Sequence, residues 1–142
     1  MKHGLIAATL VLGLIAPIAT ASAQSSTSAT SLGSVTLSRK VTADGQPLAA
    51  GTYQVRLTTD QARNVVGQTP EAERYVEFVR GGKVMGRELA TIVSDADAKT
   101  VLKVAKPAPG AARVELLKGD DYIRVWINRG GNNYIIHLPP AA

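Results

Sequence analysis

The chain has 142 residues, 45% of them hydrophobic and 19% charged, with a net charge of +5. That is the make-up of one globular domain, and it excludes a multidomain enzyme as well as a disordered or collagen-like chain. Cysteine is absent, which removes disulfides, thiol catalysis, cysteine-ligated zinc or iron–sulfur centres and covalent haem attachment.

The N-terminus has the layout of a cleavable export signal. Lys2 and His3 give a short positive start, Leu5 to Ala16 an apolar stretch, and Ala21-Ser22-Ala23 a small-residue cleavage site. Pro17 and Thr20 break the apolar run before it reaches the roughly 20 residues of a membrane span, so no stable span is expected after cleavage. The expected segments are a signal peptide over 1–23, a flexible Ser/Thr-rich lead-in over 24–31 and a folded domain over 32–142. The chain from Gln24 on has 119 residues, in which 15 basic side chains face 11 acidic ones with no basic block. Such a dispersed charge of +4 is not a nucleic-acid footprint. The expected location is outside the cytoplasm, periplasmic or extracellular.

Period-2 alternation begins at Leu32, with Val35, Leu37 and Val41 on one side and Thr36, Ser38 and Lys40 on the other. Ala43-Asp44-Gly45 supplies a turn, and Pro47 argues against a strand through the residues after it. From Gly51 to Thr58 the alternation is clean. It predicts Tyr53, Val55 and Leu57 in the core and Thr52, Gln54, Arg56 and Thr58 outside.

The element D-G-x-x-L-x-x-G-T-Y-x-V-x-L over Asp44 to Leu57 resembles one found in prealbumin-like modules, including carboxypeptidase regulatory-like and collagen-adhesin B-type repeats. The resemblance covers about 14 residues and implies a small extracytoplasmic β-sandwich in which Leu48 caps one end, Gly51 admits the chain to the sheet and Tyr53 plugs the core. The chain also resembles secreted bacterial proteins that carry this opening and a terminal R-V-W-I-N-R-G-G element, here Arg124 to Gly131. That second resemblance implies no activity.

Beyond a loop from Asp60 to Pro70, Arg74–Val79 and Val84–Val93 flank Gly81-Gly82, which permits the primed turns that suit a hairpin. A two-residue loop opposes Val79 to Val84 and Phe78 to Met85. It places Val76, Phe78, Met85 and Leu89 on one face, and Tyr75, Val79, Val84 and Ile92 with Glu77 and Glu88 on the other. Asp95 to Lys106 is the one helical candidate, with Ser94 as N-cap, Asp95 and Asp97 in the first turn, Lys103 and Lys106 in the last, and Val101, Leu102 and Ala105 as its apolar stripe. Thr100 to Val104 reads equally as strand.

Two further hairpins close the chain: Arg113–Lys118 with Tyr122–Asn128, and then Tyr134–Leu138 after Gly130-Gly131. The expected fold is all-β, an antiparallel sandwich of about seven strands, immunoglobulin-like or prealbumin-like, with at most one short helix. A Gly130-Gly131 loop opposes Ile127 to Tyr134, Val125 to Ile136 and Ile123 to Leu138 on a wholly apolar face. On the reverse face Trp126 opposes Ile135, Arg124 opposes His137 and Asn128 opposes Asn133, with Tyr122 alongside.

Tyr122, Arg124, Trp126 and His137 form the candidate binding face. Aromatic rings stack on sugars and planar groups, Arg offers a fixed fork of donors, and His both donates and accepts. The competing reading places Trp126 beneath the Asp95–Lys106 segment. Catalysis is not expected: beyond the leader His137 is the only histidine, and no G-x-S-x-G elbow is present. The carboxylate pairs Asp95/Asp97 and Asp120/Asp121 suit a helix start and a turn, so neither a metal nor a cofactor is expected. The two Arg-Gly-Gly triplets at Arg80 and Arg129 read as hairpin tips. Two functions remain: a binding module for a glycan or an extracytoplasmic protein, and an envelope-assembly subunit that works by strand-edge pairing.

Overall fold

A computed structural model describes residues 29–61, 72–101, 105–117, 119 and 122–141. The leader, most of the Ser/Thr-rich stretch, residues 62–70 of the expected loop with Glu71, Lys118 of the expected strand, Asp120 and Asp121 lie outside the described residues. So do Leu102, Lys103 and Val104 of the predicted helix.

Among the described residues nine strands and one helix run in the order β1 (Thr30–Leu37), β2 (Val41–Ala43), β3 (Gln46–Leu48), β4 (Gly51–Gln61), β5 (Glu73–Arg80), β6 (Lys83–Ser94), α1 (Asp95–Val101), β7 (Ala112–Leu116), β8 (Ile123–Arg129) and β9 (Asn132–Leu138). The seven long strands correspond to the seven read from alternation. They make one antiparallel sheet in the order β1-β4-β5-β6-β9-β8-β7, curled until it is nearly closed into a barrel.

The core lies inside this curl. Val35, Leu37, Tyr53, Val55, Leu57, Val76, Phe78, Ile123, Val125, Ile127, Ile136 and Leu138 are all buried there, as the parity of β4 and β8 predicts. Leu32 and Val35 are three residues apart, a spacing that strict alternation sends to opposite faces. A bulge between Ser31 and Gly33, with Gly33 at φ +115°, resets the phase and brings both inward.

β2 and β3 form a separate small hairpin over one end of the curl. Val41, Ala43 and Leu48 are buried, and Thr42 N–H donates to the Pro139 carbonyl. Two expectations change here. Val41 begins a new strand instead of extending β1, and Pro47 sits within β3 opposite Thr42. A two-stranded ribbon leaves each strand one free side, so a residue without an N–H is tolerated there.

The Gly51-Thr52-Tyr53 element works as a unit. Tyr53 packs edge-on against Phe78 and donates its hydroxyl to the Ala49 carbonyl at 2.6 Å. The Arg80 guanidinium lies 4.4 Å from the Tyr53 ring centroid and donates to the Ala50 carbonyl. Gly51, at φ +142°, leaves room for it: a Cβ there would collide with Arg80 Nη2. Thr58, expected outside, is buried because its hydroxyl donates to the Tyr75 carbonyl across the strand pair.

Gly81 and Gly82 both take positive φ, and Val79 opposes Val84 as predicted. A bulge at Phe78/Val79 then sets Phe78 opposite Gly86 instead of Met85. Met85 is consequently exposed and Gly86 takes the core position. A Cβ on Gly86 would already be in contact, at 3.4 Å, with both Ala43 and Leu48 of the small hairpin, so this core position has no room for a side chain of methionine's length. The shift also moves Glu88 onto the row of Val76 and Leu89 onto the row of Tyr75, reversing the expected faces. Glu88 accepts the Asp44 N–H at 2.7 Å and so caps the β2–β3 turn.

The described helix covers Asp95–Val101; Ala105 and Lys106 of the predicted span are not helical. The Ser94 hydroxyl accepts the Asp97 N–H, as a helix N-cap does, and donates to the Asp97 carboxylate. Its buried contact is Ala98, outside the expected stripe, and Ala105 of that stripe is exposed.

Candidate functional site

Gly130 and Gly131 take φ +63° and +79°, the geometry of a two-residue primed turn. That turn fixes the β8–β9 register, which matches the predicted one at every pair from Ile123↔Leu138 to Asn128↔Asn133. Trp126, Arg124, His137 and Tyr122 therefore do share the outward face. They differ in access.

Trp126 is 0% exposed. Its indole N–H donates to Asn133 Oδ1 at 2.8 Å, while Asn133 Nδ2 donates to Asp95 Oδ1 at 2.8 Å. Lys106 Nζ, 2.9 Å away, donates to the same Asp95 oxygen. A few residues on, Asn128 Nδ2 donates to the Pro107 carbonyl, and Arg113 Nη1 donates to the Ala105 carbonyl. Asp95 and the stretch from Ala105 to Pro107 are thus tied to the outer face of β7, β8 and β9 by a polar lattice, and Trp126 is buried as in the competing reading. The Lys106 and Asn133 bonds hold the Asp95 carboxyl below its ordinary pKa. Alternation alone places Asn128 and Asn133 on this face without assigning them a task. Buried amides need partners, and their donors show where the covering segment docks.

The remaining three residues reach the surface. Tyr122 is 45% exposed, His137 is exposed, and Arg124 is half-buried between them and β7. Arg124 donates from Nε and Nη2 to Glu115 Oε2, and Arg113 Nε lies 2.7 Å from Glu115 Oε1. Glu115 is thus held between two arginines. The Arg124 guanidinium carbon is 5.9 Å from the Trp126 ring centroid, so its inner side also covers the indole. Partial desolvation, and secondarily the charge of Arg124, lower the His137 pKa below its ordinary value. A neutral imidazole at pH 7 presents one donor and one acceptor. The accessible chemistry is therefore one aromatic face, one neutral imidazole and the free donors of a guanidinium.

Among the described residues no group of three His, Asp or Glu side chains converges as a metal centre would require. No helix among them is long and apolar enough to cross a membrane. No protein-family model matches the chain, and neither curated proteins nor solved structures contain a match.

Proposed function

We propose that this chain is an exported, non-enzymatic binding module that meets a glycan or another extracytoplasmic protein on the surface of Tyr122, Arg124 and His137. The observation that carries this reading is the exposure of His137 on β9 and of Tyr122, one residue before β8, beside Arg124 on β8. Rigid strands hold such groups at fixed spacing, which lowers the ordering cost of binding. Trp126 supports the surface from beneath and takes no part in stacking on a ligand.

Export rests on the leader pattern of residues 1–23. The relation to prealbumin-like sandwiches rests on the Leu48, Gly51, Tyr53 element, and the burial of Leu48 and Tyr53 with the positive φ of Gly51 supports it. In this reading the curled sheet is a two-layer sandwich whose layers join through its long, bulged strands.

The test is a photo-crosslinking residue at position 122 in cells producing the full chain. The reading expects a discrete adduct or a glycan-bearing product at 122 that is absent when the same residue stands at exposed Thr52, and that is lost with His137→Ala. Equal labelling from both positions, or none from either, would sink it. A second reading, assembly through a strand edge, is favoured by one observation: Ala112 and Leu116 of β7 are exposed although they lie on the core side of the sheet.

A further inference from the structure

The free edge of β7 carries a pattern that selects its own partner. At the start of β7 Gly110, at φ +81°, donates to the Asn128 carbonyl while Asn128 N–H donates to that of Ala111; at the far end Leu117 N–H donates to the Tyr122 carbonyl. Residues 111, 113, 115 and 117 therefore direct their backbone groups to β8, and the alternation of an antiparallel ladder turns those of Ala112, Val114 and Leu116 outward. β7 ends the sheet. The other edge, β1, approaches it within 8 Å between Cα atoms without pairing to it. Among the described residues the outward groups of Ala112, Val114 and Leu116 have no backbone partner.

We infer that β7 pairs antiparallel with β7 of a second copy of this chain, about a two-fold axis through Val114. The phase of the outward groups allows a centre at any residue of this five-residue strand, and three of these, at Arg113, Val114 and Glu115, overlap the two strands by three residues or more. A centre at Arg113 opposes Arg113 to its own copy, and a centre at Glu115 opposes Glu115 to its own copy; like charges directly opposed are destabilising. The centre at Val114 opposes Arg113 to Glu115 of the second copy, twice, and Ala112 to Leu116. It exchanges both backbone bonds at Ala112, Val114 and Leu116. Charge and hydrogen-bond phase thus agree on one register. The pairing also covers Leu116, which is 44% exposed in the single chain, and it turns two open edges into one continuous sheet. Because opposed residues point to the same side, the outer faces of both copies look the same way. This inference gives the edge-pairing reading its partner and does not depend on the Tyr122 surface.

The experiment uses protein recovered from cells producing the full chain. Sedimentation over a range of concentrations is expected to show a monomer–dimer equilibrium. Arg113→Glu and Glu115→Arg, each checked for native circular dichroism, are each expected to weaken the dimer by about tenfold or more. Mixing the two variants is expected to restore a dimer. One copy is then acidic at both positions and the other basic at both, so each pair across the axis is again opposite in sign. Since the chain has no cysteine, single introduced thiols report the register. Val114→Cys lies at a hydrogen-bonded pair about 5.5 Å apart between Cα atoms, within disulfide reach, and is expected to cross-link. Ala112→Cys stands about 13 Å from its copy along the strand and is not. Monomer at every concentration, a mixture that does not recover, or cross-linking at 112 as readily as at 114 would each overturn the inference. So would amide exchange at Ala112, Val114 and Leu116 as slow in the monomer as in the β8–β9 ladder, because β1 would then already occupy the edge.

Discussion

Replacing Trp126 by Ala separates a structural tryptophan from a ligand platform, and the geometry sets the magnitude. The ring is fully buried. An aromatic side chain of this kind covers about 200 Å², and at about 25 cal/mol per Å² its removal from water contributes at most about 5 kcal/mol. The substitution also strips Asn133 Oδ1 of its 2.8 Å donor, and a buried acceptor left unmatched costs about 1–3 kcal/mol. These contributions overlap through relaxation, so a net loss of about 3–5 kcal/mol is expected, in the range of large aromatic-to-alanine changes. Trp126→Phe keeps most of the area but not the N–H, and should cost about 1–3 kcal/mol. Urea titration followed by circular dichroism measures both losses. The wild-type indole, the chain's only one, should emit to the blue in the folded state and resist iodide quenching. A Trp126→Ala variant within about 1 kcal/mol of wild type, or a red and readily quenched emission, would refute the reasoning and return Trp126 to the binding surface.

Gly51→Ala should destabilise by about 1–3 kcal/mol through its positive φ and the displaced guanidinium. In an Arg80→Ala background part of that cost should vanish, and a double-mutant cycle in denaturant measures the coupling. At the bulge, Met85→Ser should change the unfolding midpoint little, whereas Val76→Ala should cost about 1–3 kcal/mol; a Met85→Ser cost as large as that of Val76→Ala would restore the unbulged register. The folded pKa values of Asp95 and His137 are both depressed, so each group adds stability above its unfolded pKa that is lost as pH falls through the folded value. His137→Gln should flatten the stability profile below about pH 6.5, and Asp95→Asn the part below about pH 4; unchanged profiles from acid titrations would contradict this. Protein recovered from outside the cytoplasm should begin at Gln24 by mass spectrometry, and retention of Met1 in membranes would sink the export reading.

The strands are legible wherever a turn or one buried face fixes the phase. Gly130-Gly131 and the alternation on both sides of it determine the β8–β9 register to the residue, because a slip by one would send Ile123, Val125 and Ile127 to the solvent side. The β5–β6 hairpin carries the same Gly-Gly signal and is right at Val79↔Val84, but it goes wrong one residue later. The core position that Gly86 takes there faces Ala43 and Leu48, which approach from the small hairpin. A contact between positions more than thirty residues apart leaves no trace in a local period. Thr58 fails for a related reason, since its burial depends on the Tyr75 carbonyl across the sheet.

The same distinction between local and distant causes explains the candidate site. Parity places Tyr122, Arg124, Trp126 and His137 on one face, and they are there; parity carries no information on what lies above that face. The cover is made by the start of α1 and the stretch from Ala105 to Pro107, with Asp95, Ala105 and Pro107 held to Asn133, Arg113 and Asn128. The two asparagines are the available clue. On a solvated strand face an amide needs no fixed partner, but Asn128 and Asn133 flank the buried Trp126 on paired strands, and each donates to a group outside the sheet. Anchoring the cover over Trp126 leaves the other half of the face open at Tyr122 and His137. There Arg124 supports both halves: one side of its guanidinium shields the indole, and its Nε and Nη2 fix Glu115 on β7. Arg124→Ala should therefore lower stability and ligand binding together, whereas Tyr122→Ala should lower binding alone.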